Sequence, residues 1–260
     1  MFIGREHERA RVYEAILERR SLLLCGPADS GKSALLAEVL SHLAHHARQR
    51  CLVCSADGPP IAIWRQMVQE LKRAEEAEVL GRVEREAGSQ IHFERWLRKQ
   101  TSLRLRGIIG RATRAREYSV FLDARSHISD GVYRLLQEWI WSGRTPVILL
   151  ARGWSRKEIG KAAQLYWHEG LRLSLGALDR ASAETLLQET IGRLQLADLA
   201  DGQFREFVLE RSAGLPGRLI RLCELAAGSA YHYHGHVKLS SLAVDFLLDQ
   251  RDRERAIRHA

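Results

Sequence analysis

The chain has 260 residues, of which 45% are hydrophobic and 28% are charged, and its formal net charge is +8. These values fit a globular protein with one large α/β domain, or with one domain and a small appendage. No apolar run approaches the roughly 20 residues that a membrane span needs, so we expect no membrane partner. The N-terminus lacks the apolar segment of a signal peptide, which predicts a cytoplasmic protein.

In chain order, short apolar segments alternate with helical patterns over the first two-thirds of the sequence. The predicted strands are Ser21–Cys25, Cys51–Ser55, Tyr118–Leu122, Pro146–Ala151 and Leu171–Leu175. The predicted helices between them are Gly31 to about Ala47, Ile61–Arg73, Gly131–Trp141 and Arg156–Trp167. Apolar strands separated by helices indicate an α/β fold with a doubly wound, parallel five-stranded sheet covered on both faces.

After about Asp179 the strand signals stop and only helical patterns follow. The predicted helices are Ser182–Leu194, Gln203–Ser212, Pro216–Gly228 and Leu239–Arg253. We therefore divide the chain into an α/β core at residues 1–178 and a small C-terminal all-α subdomain at residues 179–260.

The four cysteines are too few for a disulfide framework in a chain of this length. Cys51 and Cys54 form a C-x-x-C pattern, which could indicate zinc or redox chemistry. They lie in a predicted buried strand, where residues three apart point to opposite faces. No second pair of ligands follows, so we favour a structural role.

The segment from Gly26 to Ser33 reads GPADSGKS and matches the phosphate-binding pattern G-x-x-x-x-G-K-[ST]. Glycines let such a loop wrap a phosphate with its N–H groups pointing inward, and the helix that follows adds a partial positive charge. Lys32 would reach the β- and γ-phosphates, and the Ser33 hydroxyl would bind Mg²⁺. The residues predicted to bind ATP here are Gly26, Pro27, Ala28, Asp29, Ser30, Gly31, Lys32, Ser33 and Ala34.

An acidic residue ends the third predicted strand, in the segment YSVFLD. Asp123 would lie at the carboxyl end of the sheet, where open α/β sheets bind ligands, and would hold Mg²⁺ with Ser33. The alternative is that Asp123 caps the segment that follows it.

Three further motifs resemble those of P-loop ATPases of the AAA+ and STAND type. Phe2–Glu6 (FIGRE) resembles the opening segment of these families, and Leu178–Glu184 resembles the start of their helical lid. Gly214–Leu219 (GLPGRL) resembles the G-x-P lid motif of STAND, archaeal ATPase and Orc/Cdc6-like members. It is also similar to the lid of transposition and ExeA-type ATPases. The resemblance covers about residues 1–230.

The resemblance implies a P-loop NTPase core with a helical lid, and ATP and Mg²⁺ as cofactors. It places Ile3, Gly4 and Arg5 beside the adenine. Arg152 matches the sensor of the γ-phosphate, and Arg218 matches a lid arginine that contacts the nucleotide. Lys32, Asp123 and Arg152 are thus the expected catalytic residues. The alternative for Arg152 and Arg218 is an ordinary solvated arginine.

One position departs from the family pattern, which places an acidic residue directly after the metal-holding Asp. Here that residue is Ala124, so hydrolysis should be slow unless Asp130, Glu117 or Asp29 substitutes. The sequence therefore predicts a slowly hydrolysing ATPase switch. The alternative is a non-enzymatic nucleotide-binding regulatory protein with a degenerate site. A GTPase would need a guanine-reading N-K-x-D segment, which we do not find.

A basic segment lies between Arg95 and Arg116 and could track a DNA backbone, although most such runs are solvated helix faces. Its cations are Arg95, Arg98, Lys99, Arg104, Arg106, Arg111, Arg114 and Arg116. Trp96 lies among them. His232, His234 and His236 could bind a metal, but a helix-to-loop boundary explains them equally well. We further expect a homo-oligomer and an unidentified protein partner.

Overall fold

The computed structural model describes residues 3–46, 50–74, 76, 81, 90–113, 118–143 and 145–259. The chain divides into two compact units. The sheet unit comprises His7–Cys25 and Leu36–Ser174. The lid unit comprises Met1–Glu6, Gly26–Leu35 and Leu175–Ala260. The division between residues 178 and 179 stays a prediction.

Five parallel strands form the sheet, in the order β2-β3-β4-β1-β5. They are β1 (Leu22–Cys25), β2 (Arg50–Ser55), β3 (Tyr118–Asp123), β4 (Val147–Ala151) and β5 (Arg172–Ser174). Every residue of β1 and β4 is buried, as expected for strands at the middle of a sheet that helices cover on both faces. The predicted doubly wound, parallel five-stranded sheet is confirmed.

Helices accompany these strands along the first two-thirds of the chain. They are α1 (Glu6–Leu17), α2 (Lys32–His46), α3 (Pro60–Arg73), α4 (Gln90–Lys99), α5 (Ser102–Ala112), α6 (Asp130–Ser142) and α7 (Arg156–Ile159). In the core of the sheet unit, the rings of Trp64 and Trp139 meet edge to face at 5.2 Å.

The helix predicted over Arg156–Trp167 is shorter than expected. Helix α7 ends at Ile159, and residues Gly160–Tyr166 form a 3₁₀ helix. Gly160 adopts φ +60, and a Cβ there would lie 2.6 Å from the ring of His127. The α-helix therefore stops at a glycine whose left-handed backbone breaks the helical path.

The lid unit contains the four predicted C-terminal helices, α8 (Arg180–Arg193), α9 (Gly202–Ser212), α10 (Pro216–Ala226) and α11 (Leu239–His259). Asp179 and Asp201 cap α8 and α9, because their side chains accept from the N–H groups of Ser182 and Phe204. Buried side chains of all four helices form a separate core that includes Leu187, Phe204, Leu219, Leu222 and Leu242.

A short hairpin adds to these helices, so the C-terminal subdomain is not wholly helical. Strands β6 (His232–Tyr233) and β7 (His236–Val237) pair antiparallel. His234 and Gly235 join them with φ values of 46° and 80°. Positive φ at both central residues is typical of a tight two-residue hairpin turn. The spacing of the histidines in this segment indicates only metal ligands or a helix-to-loop boundary, so the sequence does not predict the hairpin.

Within the described ranges, no helix combines the length and the apolar character that crossing a membrane requires. All four cysteines are free. Burial raises the pKa of the Cys51 and Cys54 thiols to about 12. The described residues contain no cluster of three or more His, Cys, Asp or Glu side chains that could hold a metal.

Candidate nucleotide site

The backbone of the phosphate loop requires both glycines of its motif. Gly26 follows β1 directly in the chain, and a Cβ there would lie 2.5 Å from the Leu175 carbonyl oxygen. Gly31 adopts φ +92, a backbone conformation that residues other than glycine rarely adopt. The loop thus has the close, left-handed path that the motif predicts.

Hydrogen-bond donors gather along this loop. The Lys32 ammonium donates to the carbonyl oxygens of Gly26 at 2.7 Å and Pro27 at 2.8 Å. Ser30 is 1% exposed, and its Oγ has no hydrogen-bond partner among the described residues. Ser33 is exposed in the first turn of α2. An ammonium, hydroxyls and a helix N-terminus are the groups that fit a triphosphate and Mg²⁺.

The N-terminal segment lies against the start of the lid helices. Arg5 is 7% exposed, and its guanidinium donates to the Gly176 carbonyl oxygen. Gly4 adopts φ +66, and a Cβ there would lie 2.5 Å from Ser182 Oγ. Ile3 is half-buried, whereas Phe2 lies outside the described residues. Their contact with adenine stays a prediction.

The N-terminus of α10 packs directly on the phosphate loop. The Gly217 N–H donates to the Asp29 carbonyl oxygen at 2.9 Å. A Cβ at Gly217 would lie 2.8 Å from Asp29 Cβ, and Pro216 Cγ lies 3.3 Å from the Cβ position of Gly31. Asp29 itself has φ +64, so the loop turns through a left-handed residue where it meets the helix.

Sequence reasoning identified the G-L-P-G motif but missed this contact. Its signal was the second glycine of the motif, Gly217, which leaves room for the backbone of the loop. Arg218 is half-buried next to it, and its Nε is buried without a hydrogen-bond partner in the described part of the chain. The structure thus places Arg218 one residue beyond the contact with Asp29.

In the sheet unit, the predicted metal ligand ends β3. Asp123 pairs in register with Ser55 of β2 and Leu150 of β4, and its side chain is 34% exposed. Arg125 Nε lies 3.3 Å from Asp123 Oδ2. Ala124 is buried and donates its N–H to the Leu150 carbonyl oxygen at 2.8 Å.

Arg152, the predicted sensor, is the first residue after β4 and is exposed. Strand β4 lies between β1 and β3 in the sheet, so the carboxyl ends of these three strands meet at one edge. The topology therefore puts Asp123 and Arg152 at the same edge of the sheet, where β1 also ends. Neither role is tested by this placement.

A second carboxylate, which sequence reasoning missed, follows β2 at the same edge. Asp57 accepts hydrogen bonds from the hydroxyls of Ser55 and Ser126, both at 3.0 Å. Of the predicted substitutes for the missing acid, Asp130 forms an ion pair with Lys161 at 2.7 Å. The hydrogen bond from Lys161 lowers the pKa of Asp130. Glu117 lies outside the described residues.

The basic segment forms parts of α4 and α5. Its described cations are all exposed: Arg95, Arg98, Lys99, Arg104, Arg106 and Arg111. Arg114 and Arg116 lie outside the described residues. Trp96 is only 8% exposed and stacks on Phe93 at 5.8 Å, so it belongs to the core and not to this surface.

The three histidines make separate contacts where the structure records them. His236 Nδ1 lies 3.0 Å from Asp201 Oδ2, and His232 Nε2 lies 3.0 Å from the Ala226 carbonyl oxygen. His234 occupies the hairpin turn. His232 and His236 thus each have a protein partner, so their positions do not require a metal.

Comparison with known proteins decides the family. The AAA ATPase domain family matches residues 1–210. The chain belongs to this family of P-loop ATPases. The predicted resemblance to AAA+ ATPases is confirmed. No curated protein matches the chain.

Several solved structures share the fold. The Walker-type ATPase PABY2304 of Pyrococcus abyssi is 14% identical with a TM-score of 0.62, and the match covers 100% of this chain and 77% of that one. The Orc1 protein of Aeropyrum pernix, solved in complex with DNA, is 14% identical with a TM-score of 0.60, covering 94% and 66%. Cdc6p from Pyrobaculum aerophilum is 11% identical with a TM-score of 0.53, covering 86% and 61%. The chain thus spans less than two-thirds of the Orc1 and Cdc6p chains, and identities this low show the fold alone.

Proposed function

We propose that this AAA ATPase domain is a nucleotide-dependent switch that binds ATP with Mg²⁺ on its phosphate loop. The observation that carries the proposal is the contact between Gly217 of α10 and Asp29 of the loop. A phosphate bound by this loop would change the surroundings of Asp29, and Asp29 contacts α10. Nucleotide binding and the position of α10 are therefore coupled.

The roles of the side chains follow from their chemistry. Lys32 would bind the β- and γ-phosphates, and Ser33 and Asp123 would hold Mg²⁺, which neutralises phosphate charge. Arg152 and Arg218 would contact the nucleotide. Ile3, Gly4 and Arg5 would lie beside the adenine. The free thiols of the chain support the reducing cytoplasm as its compartment.

A direct test measures the affinity of the purified chain for a fluorescent ATP analogue in the presence of Mg²⁺. Lys32→Ala should weaken binding by about tenfold or more, since a hydrogen bond to a charged group contributes about 1.5–3 kcal/mol. Lys157→Ala, an exposed lysine on α7, is the matched control and should bind as the wild type does. Absence of ATP affinity in the wild type would refute the proposal.

Turnover separates the switch from its alternative, a regulatory protein that binds nucleotide without hydrolysis. Ala124 favours slow hydrolysis, because an alanine cannot orient the attacking water. Phosphate release that is slow but abolished in Lys32→Ala would support an ATPase. Tight binding with no release above that of the variant would support the regulatory protein.

DNA is a second candidate ligand, favoured by the six exposed cations of α4 and α5. Affinity for duplex DNA should fall steeply with salt. Changing Arg95, Arg98 and Lys99 together to Gln should weaken binding and reduce the salt slope by roughly 0.9 for each phosphate that these side chains neutralise. Changing Arg134, Lys157 and Arg193 together to Gln is the control of equal charge. Salt-insensitive binding would count against this candidate.

Self-association and a protein partner are the remaining proposals. Sedimentation of the purified chain with and without ATP would show whether nucleotide changes its assembly. If the sedimentation coefficient equals that of a monomer at all concentrations, the proposed homo-oligomer is refuted.

A further inference from the structure

Arg125 places a positive charge beside the carboxylate of Asp123, the proposed metal ligand. Arg125 Nε lies 3.3 Å from Asp123 Oδ2. The guanidinium side chain is 73% exposed, whereas the carboxylate is 34% exposed. The position directly after Asp123 is the neutral Ala124, so the first charged side chain that follows this carboxylate in the chain is the cationic Arg125.

Hydrogen bonds on both sides of the pair fix the loop that carries Arg125. The Ala124 N–H donates to the Leu150 carbonyl oxygen, and the Asp123 carbonyl oxygen accepts from the Ala56 N–H, both at 2.8 Å. On the other side of Arg125, the Ser126 hydroxyl donates to Asp57 Oδ1 at 3.0 Å. The backbone around Arg125 is therefore tied to β2 and β4.

Asp57, which accepts the Ser126 hydroxyl, also forms hydrogen bonds with Ser55. The Ser55 hydroxyl donates to Asp57 Oδ2 at 3.0 Å and accepts from the Asp57 N–H at 3.1 Å. Both carboxylate oxygens of Asp57 thus accept a serine hydroxyl. This arrangement orients Asp57 toward the loop after β3 and leaves Arg125 beside Asp123.

We infer that Arg125 competes with Mg²⁺ for the Asp123 carboxylate and so raises the Mg²⁺ concentration at which the chain binds ATP. A carboxylate oxygen engaged by a guanidinium is less available to a cation, and the fixed positive charge repels a divalent ion. This inference rests on the proposed function, because it assigns Mg²⁺ to Asp123. Arg125 acts here as a regulatory residue and not as a catalytic one.

The size of the effect follows from the exposure of the pair. Exposed ion pairs contribute little because water screens them, so the competition should shift the Mg²⁺ midpoint by about two- to fivefold. Salt should shrink the shift, since the pair lies largely within reach of solvent.

The test titrates Mg²⁺ against binding of the fluorescent ATP analogue, with EDTA for the metal-free reference. Arg125→Gln removes the charge and keeps a side chain of similar length. We expect it to lower the Mg²⁺ midpoint about two- to fivefold and to leave affinity in EDTA unchanged. Lys157→Gln removes one exposed charge from α7 and should not move the midpoint. In an Asp123→Asn background, Arg125→Gln should have no effect.

Two results would overturn the inference. One is an unchanged midpoint in Arg125→Gln with a wild-type thermal unfolding temperature. The other is a raised midpoint, or weaker binding in EDTA that Lys157→Gln does not share, because either would assign Arg125 to the phosphates. A wild type that binds no ATP at any Mg²⁺ concentration would instead refute the proposed function.

Discussion

Substituting Gly217 by alanine tests the contact between the lid helix and the phosphate loop. The new Cβ would lie 2.8 Å from Asp29 Cβ and 3.0 Å from Asp29 Cα. Carbon atoms pack best at about 3.5–4.0 Å, so the methyl group would overlap a backbone that cannot move freely. Overpacking of this kind costs about 1–3 kcal/mol, and the better helix propensity of alanine offsets about 0.5–1 kcal/mol. The net loss should be about 0–2.5 kcal/mol relative to the wild type.

Thermal and urea unfolding measure this loss, and the ATP analogue measures its effect on the loop. Each kcal/mol should lower Tm by about 2–4 °C in a chain of this size. ATP affinity should fall as well, because the loop must shift to accept the methyl group. Gly192→Ala is the matched control, since its Cβ would have no neighbour within 4 Å. Equal stability of the two variants, or a more stable Gly217→Ala, would show that this reasoning about the contact is wrong.

Two further predictions concern ionisable groups of the lid unit. Arg221 donates twice to Asp249, at 2.9 and 3.2 Å, and this lowers the pKa of Asp249. Asp249→Asn should therefore cost about 0.5–1 kcal/mol at pH 7. The loss should shrink as the pH falls below the unfolded pKa near 3.8 and vanish only below the lower pKa of the folded state. Thermal unfolding at pH 7 and pH 3 checks this against Asp252→Asn, an exposed carboxylate on α11. Burial raises the pKa of the Cys223 thiol from 9.0 to about 12, so stability should fall between these pH values as the unfolded thiol ionises. Cys223→Ala should flatten that fall, and alkylation at pH 8 should label Cys223 only after unfolding.

The sheet could be predicted from the sequence because its strands are short apolar runs buried on both faces. Segments such as VILLA in β4 allow no reading as a half-exposed strand or an amphipathic helix. The helices of the lid unit were also predicted, and Pro216 marks the start of α10. Helices α8 and α9 begin one or two residues before the predicted Ser182 and Gln203, because Asp179 and Asp201 cap them. Local signals of this kind do not depend on contacts distant in the chain.

Features that depend on distant contacts escaped prediction. At the end of α7, a Cβ at Gly160 would meet the ring of His127, which lies more than 30 residues earlier in the chain. The bond from Gly217 to Asp29 joins residues 188 positions apart. A glycine in the sequence shows that a close approach is possible, but only the fold shows which atoms approach.

The contacts of Asp57 with Ser55 and Ser126 show why only part of the candidate site could be predicted from the sequence. The residue directly after Asp123 is Ala124 and not an acid, and the sequence offers substitutes only by their charge. In the structure the next carboxylate at that edge, Asp57, is engaged by two hydroxyls and bound to the loop that carries Arg125. Asp57 therefore bonds to the residue that follows Arg125 and helps to hold the loop after β3. A carboxylate engaged by two hydroxyls is less available to orient an attacking water, which agrees with the slow turnover that we propose.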